Sequence, residues 1–526
     1  MKRLFTTFMV GVAGMQVLTP EAAARPKLVV GIIVDQLRTD YLETLQDKFE
    51  PGGFRLLMDK GAYIKDLDFR IPDLDGANAT AIIQTGTYPR QNGISGASVY
   101  SPSHKRIISV LNDPAYIGNF TSETYSPDAI RVTTLTDEIA MAANGSSTIH
   151  SISPNAEEAI ILAGHAGNSA FWINDETGNW ASTTYYKSLP SVLQNRNYNS
   201  ALANRLDTMK WTPLKSVGFY PDVTFSQLKD GFKYTFSRSD RDVYDSYKHS
   251  PYVNSDITTA AAEYLSNLKL GRNDETTDVL NLVYTAAPYP EPKKGDGLYE
   301  LEDTYLRLDR DLSRLFRELD KSVGLDNVLV YVASTGYFEE PERDMAKLRL
   351  PTGTFSVKRA MSLLNAYLAA KYGNGSYIDQ YANGQLYLDK AGIELKNLEI
   401  KQVAEDTRDF LVRMSGVADA FTVTDLQSPA VAKLEGHRLA NDPKNSGDVI
   451  IEFNPGWQVS DDTRFPAQSL PEKSTGYASP AFIMGFGIAP QIIEYPVDAT
   501  AIAPTIAKNL RIRSPNGAVS KALNLK

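Results

Sequence analysis

The sequence contains no cysteine and only five histidines, His104, His150, His165, His249 and His437, among its 526 residues. Without thiols there can be no disulfide scaffold, thiolate nucleophile, cysteine-bound zinc or iron–sulfur ligation, and no lipid anchor on cysteine. Five histidines leave little room for an imidazole metal site, and His104, His150, His249 and His437 show no ligand spacing such as i, i+4 on a helix. No internal repeat, low-complexity tract or Pro/Ser-rich linker interrupts the chain. The formal net charge is −9. That sign disfavours nucleic acid and anionic membrane as partners.

What is present is ordinary globular composition, 42% hydrophobic and 22% charged, in a chain long enough to bury a large core. Lys2 and Arg3 precede an apolar stretch from Leu4 to about Leu18 and the small-residue run Ala22-Ala23-Ala24. This pattern predicts an export leader over residues 1–24, cleaved near Ala24, and hence a periplasmic or secreted protein. The stretch is short for a membrane span, and no later segment qualifies. Lys27–Asp35 is an almost unbroken apolar run, as in a strand buried on both faces. Further strands are expected at Val279–Thr285, Asn327–Ser334, Asp448–Phe453 and Pro480–Gly487, with helices around Asp40–Phe49 and Gly53–Lys60. A long helix is predicted from about Leu301 to Val323. Its apolar residues Leu301, Tyr305, Leu308, Leu312, Leu315 and Leu319 form one stripe, and Gly324 ends it. The alternation predicts an α/β fold with a mostly parallel central sheet covered by helices on both faces. Sites in such sheets lie beyond the carboxyl ends of the strands. Two stretches break the rhythm and read as inserted cap subdomains. One, about 181–250, is rich in Tyr, Ser and Asn and carries Trp211. The other, about 346–445, has helices at Thr354–Tyr372 and Leu398–Gly416 around a hairpin near Tyr377–Asp389.

Several motifs point to a family. Val34-Asp35-Gln36-Leu37-Arg38, followed by Gly52-Gly53-Phe54 and Gly61, resembles the opening of the alkaline phosphatase superfamily. It is closest to the type I phosphodiesterase/nucleotide pyrophosphatase branch and to bacterial periplasmic alkaline phosphatases. Thr85-Gly86-Thr87-Tyr88-Pro89, Ala163-Gly164-His165, Glu302–Asp311, Leu350–Phe355 and Gly447–Trp457 continue the resemblance in order over nearly the whole mature chain. The resemblance implies an alkaline-phosphatase-like fold with two zinc ions held by Asp and His and a Thr or Ser nucleophile. Such a site concentrates positive charge on phosphate oxygens and activates an alkoxide.

The matching positions do not carry that chemistry. Asp35 keeps the first-strand ligand. In the loop Ile71–Asn78, the nucleophile falls on Asp75 or Gly76, neither a hydroxyl residue. The family's Asn falls on Ala97, and its phosphate-clamping Lys and Arg fall on Asn155 and Glu157. Its paired Asp and His fall on Pro288 and Pro292, its Asp-His on Ser334-Thr335, and its last His near Ala478. Proline and alanine offer no side-chain donor, and a Glu repels phosphate.

The residues left over have plainer readings. Asp35 reads as a lone metal ligand or, better, as a strand-end carboxylate bonded to backbone amides. Asp35, Asp73 and Asp75 could form an oxygen-only site for Mg²⁺ or Ca²⁺, but Asp-Leu-Asp-Gly is also plain turn chemistry. Thr80 and Thr85 lack an activating base. His165 reads as structural, and Arg38 as the partner of a carboxylate. The aromatic insertions read either as a binding face or as the core of a small subdomain. The expectation is a pseudoenzyme without cofactor, binding an envelope protein or a small molecule in the old cleft. The alternative is a hydrolase with an altered, one-metal site of Zn or Mg/Ca.

Overall fold

The computed structural model describes residues 25–187, 190–216, 219–220, 231–290, 297–339, 352–429, 431–463 and 468–525. The leader expected over residues 1–24, and Pro292, lie outside them. The chain from Leu28 to Asp35 forms the middle strand of a ten-stranded sheet. It pairs in parallel with Asp278–Thr285 on one side and Val328–Ser334 on the other. Ile149–Ile152 and Ser169–Ile173 extend the parallel region. Antiparallel strands flank it: Ala481–Gly485 beside Val328–Ser334, and Trp180–Thr183 beside Ser169–Ile173.

Alternation along the first strand explains why its whole run is apolar. Leu28, Val30, Ile32 and Val34 enter one core, while Val29 and Ile33 enter the core on the opposite face. The first core is closed by the long helix Leu298–Ser322, whose predicted stripe from Leu301 to Leu319 is buried throughout. Each such side chain contributes roughly 1.5–3 kcal/mol relative to an exposed one. The helix ends where expected, with Gly324 at φ +83° donating its N–H to Leu319 and Asp320 carbonyls. The opposite face is covered by Gly76–Thr85, Leu135–Ala142 and Ile502–Leu510.

The first irregular stretch packs inward. Trp211, Tyr220, Phe232, Tyr234 and Tyr247 are buried in the core under the long helix. Asp303 of that helix, fully buried, accepts hydrogen bonds from Trp211 Nε1 (2.8 Å), Tyr220 Oη (2.8 Å) and the Leu214 amide (2.6 Å). These aromatics therefore fill a core and do not present a binding face.

The second irregular stretch has its own core. The hairpin Ile378–Ala382/Gln385–Leu388 joins Val449–Phe453 and Val417–Thr422 in a four-stranded sheet, packed by helices Val357–Tyr372 and Ile400–Leu411. Three sequence expectations change here. The strand near 449–453 belongs to this cap and not to the central sheet, so the cap's own strands run past residue 445. The helix expected from Thr354 starts at Val357, because Gly353–Ser356 pairs in parallel with Trp457–Ser460. The helix expected over 398–416 is shorter at both ends.

Candidate functional site

Asp35 ends the middle strand, at the carboxyl edge of the parallel strands. A cleft of about 90 Å³ opens beside it, between Asp35, Thr335, Thr285, Glu158 and Lys248. Asp35 is not held by backbone amides, as the sequence suggested. Its carboxylate instead accepts hydrogen bonds from the hydroxyls of Thr335 (2.9 Å) and Tyr337. Burial raises the Asp35 pKa above the usual carboxylate range, against those hydrogen bonds and the nearby charge of Lys473. Thr335 is also engaged on its other side, accepting from the Gln36 amide at 2.9 Å. Its neighbour Ser334 donates to the Leu37 carbonyl at 2.7 Å. Both hydroxyls that stand at the family's Asp-His positions thus tie adjacent strand ends together.

The helix Gly76–Thr85 begins where the nucleophile would sit. Asp75 is its N-cap. One carboxylate oxygen accepts from the Asn78 amide (2.9 Å), while Asn78 Oδ1 accepts from the Asp75 amide (2.9 Å), closing a capping box. The other oxygen accepts from the Ala97 amide at 2.7 Å. Asp75 is therefore a structural cap with both oxygens committed. Gly76 is the first helical residue, and a Cβ built on it would lie 2.1 Å from Glu158 Oε1. No side chain fits there while Glu158 holds its place. Asp73 is exposed and offers its carbonyl to Asn78 Nδ2 at 2.8 Å. Among the described residues, no group of three His, Asp or Glu is arranged to hold a metal ion.

The helix Ala156–Ala163 carries two glutamates in its first turn. Glu157, at the family's clamp position, is occupied by Ser109 Oγ at 2.7 Å. Glu158 was not singled out in the sequence. It is 8% exposed, its Oε2 has no hydrogen-bond partner, and burial together with the charges of Glu157, Asp35 and Asp75 pushes its pKa up to about 8. One signal was legible: a second carboxylate in a helix that is otherwise apolar. Lys248, also missed, comes from another segment and bonds Asp175 and Asn155 Oδ1. It brings one cation back beside the position of the family's clamp lysine, but that cation is already paired.

The other sequence candidates lie apart. Pro288 is half-buried after the Asp278–Thr285 strand and has no donor. Ala478 lines a separate cleft of about 480 Å³ with Arg70, His437, Glu452 and Tyr477. There His437 Nε2 lies 2.7 Å from Glu452 Oε1. Thr80 is buried in the helix without a partner for its hydroxyl, and Thr85 donates to the Ala81 carbonyl at 2.6 Å. His165 bridges Asp137 Oδ2 (2.8 Å) and the Ile130 carbonyl (3.0 Å). Arg38 pairs with Asp40 and stacks its guanidinium 3.5 Å from the Tyr477 ring centroid. The donor set that two zinc ions require is thus missing from these positions: two hydroxyls are spent on packing, and Pro288 and Ala478 carry no ligand atom.

Comparison with known proteins places this geometry. The model of the family "Type I phosphodiesterase / nucleotide pyrophosphatase" matches residues 29–478. Alkaline phosphatase PhoV of Synechococcus elongatus is 29% identical, over 96% of this chain and 93% of its own. Alkaline phosphatase PafA of Elizabethkingia meningoseptica is 28% identical, over 95% and 94%. A crystal structure of wild-type alkaline phosphatase PafA superposes with a TM-score of 0.81 at 27% identity, covering 95% of this chain and 99% of that one.

Proposed function

Because the chain belongs to the type I phosphodiesterase/nucleotide pyrophosphatase family, we propose that it keeps a phosphoesterase scaffold but acts by binding instead of by two-metal hydrolysis. The reading further holds that it is an exported envelope protein whose old cleft receives a small molecule or a segment of a partner protein. One observation carries the reading. At the helix start where a nucleophile would stand, the residues are Asp75, whose two oxygens are committed to the Asn78 and Ala97 amides, and Gly76, where the carboxyl of Glu158 occupies the space that a side chain would need. Phosphoryl transfer needs a nucleophile and concentrated positive charge. The groups at this place supply neither an attacking oxygen on the chain nor an attractive field for phosphate. Asp35, the ligand that is kept, is shared between two hydroxyls.

The test is direct. Purified protein is assayed with added zinc or magnesium on a phosphate monoester and a phosphate diester, and its metal content is measured on the same sample. The expected outcome is no turnover above the protein-free rate and only traces of bound zinc. Zinc-dependent hydrolysis abolished by Asp35→Ala would overturn the proposal.

A further inference from the structure

The cleft beside Asp35 carries a second feature besides its acidity. Glu158 is 8% exposed, lines the cavity, and has one carboxyl oxygen, Oε2, without a hydrogen-bond partner. A buried polar atom left unpaired costs roughly 1–3 kcal/mol, more if charged. Native structures retain such groups mainly where something else satisfies them. The other acidic groups around the cavity have partners. Asp175 is bonded by Lys248, Asp35 by Thr335 and Tyr337, and the Asp245 carboxylate lies 3.6 Å from His249 Nδ1. Glu158 Oε2 is the acceptor in this group that waits for a donor.

We infer that this cleft is a binding site for the ammonium head group of a small amine, with Glu158 as the anchoring acceptor and Asp35 as a second negative group. The inference rests on reading the cleft as a binding site and names the ligand class. Charge favours a cation once Glu158 is ionised, which an ammonium beside it itself promotes and which titration at about pH 9 ensures: Asp35 and Glu158 line the wall, while Lys248 is committed to Asp175 and Asn155. Hydrogen bonding favours an N–H donor, because carboxylates accept and charge-assisted bonds are the strong ones. Size favours a small group. The cavity of about 90 Å³ is several times the ~10–15 Å³ that one water needs, and far below the ~300 Å³ at which drug-sized sites begin. A divalent ion fits worse, since Ca²⁺ takes roughly six to eight oxygen ligands and the hydroxyl of Thr335 is already engaged on both sides.

The experiment is calorimetric titration at about pH 9 of the whole purified protein with ethylammonium chloride, and in parallel with tetramethylammonium chloride, magnesium chloride and inorganic phosphate. The expected result is saturable binding of ethylammonium. Binding of tetramethylammonium, equally charged but without an N–H, should be at least ~10-fold weaker. Glu158→Gln should weaken ethylammonium at least ~10-fold, while Glu157→Gln, whose partner is Ser109, stays within ~2-fold. If Glu158→Gln fails to fold, the ethylammonium/tetramethylammonium ratio on the unaltered protein decides. Absence of ethylammonium binding, equal affinity for the two cations, or tighter magnesium binding overturns the inference. None of these would touch the proposal that the chain lacks hydrolysis, which turns on phosphate-ester turnover alone.

Discussion

Glu158 is the residue whose chemistry departs most from its surroundings. A carboxyl group on the buried face of an apolar helix, beside Asp35, Asp75 and Glu157, resists ionisation, and its pKa rises to about 8. The consequence for stability has a definite sign. In the unfolded chain Glu titrates near ~4.3. Between that value and about 8, the unfolded state releases its proton first, so Glu158 makes the fold less stable as pH rises through this window. Above it the penalty is constant, on the order of a few kcal/mol. Glu158→Gln removes the ionisable group while keeping its shape. In denaturant unfolding, the variant should gain on the parent protein as pH goes from about 5 to about 9. An equal stability difference at both pH values would contradict this account. Among the residues marked in the sequence, Asp35 and the donorless positions Pro288 and Ala478 carried their chemistry on their identities alone. Glu158 and Lys248 did not, because nothing in a helix turn says which of two adjacent carboxylates faces a cavity.

At the scale of elements, the start of the helix Gly76–Thr85 shows how one side chain can look like a catalytic candidate and serve as a cap. Asp75 holds the Asn78 and Ala97 amides at the same time, joining the helix start to the loop ahead of the strand Ser98–Ser101. Losing an N-cap costs about 0.5–2 kcal/mol, and orphaning the Ala97 amide adds to it. Asp75→Ala should therefore lower stability by about 2 kcal/mol, whereas Asp75→Asn keeps the cap on the Asn78 amide but turns an NH2 toward the Ala97 amide, and should lose about 1 kcal/mol. Thermal melts of the two variants separate a cap from a metal ligand, for which Asn and Ala would be comparably harmful. The long helix Leu298–Ser322 was readable because its stripe recurs locally with the helical period. The start of the cap helix was not, because Gly353–Ser356 takes a partner, Trp457–Ser460, from a hundred residues further on.

At the scale of the molecule, polar contacts among the described residues tie the cap to the sheet domain. Arg131 donates two parallel hydrogen bonds to Asp442, at 2.7 and 3.0 Å, and Asp442 is fully buried. Asn383 of the cap hairpin reaches the Ser98 carbonyl at 2.8 Å, and Tyr100 lies 5.0 Å from Tyr387 between ring centroids. Arg131→Met strips the cation from a buried carboxylate. With the arginine itself about a third exposed, screening reduces the loss to roughly 1–3 kcal/mol. The expected signature is a lower unfolding midpoint together with faster limited proteolysis within the cap. Unchanged cleavage there would show that this pair does not hold the cap in place.

The sequence by itself determined the α/β class, the middle strand and the long helix, since each is written in a period that the chain carries locally. It also determined which side chains stand at the positions that the resemblance implies for the ligands, because an imidazole or a hydroxyl is either encoded at a position or it is not. Only the tertiary structure decided what those positions do instead. Thr335 and Tyr337 close on Asp35, and Glu158 fills the space above Gly76. These partners come from segments that meet only when the sheet assembles, and which atoms they satisfy or leave waiting depends on distances that no local pattern encodes.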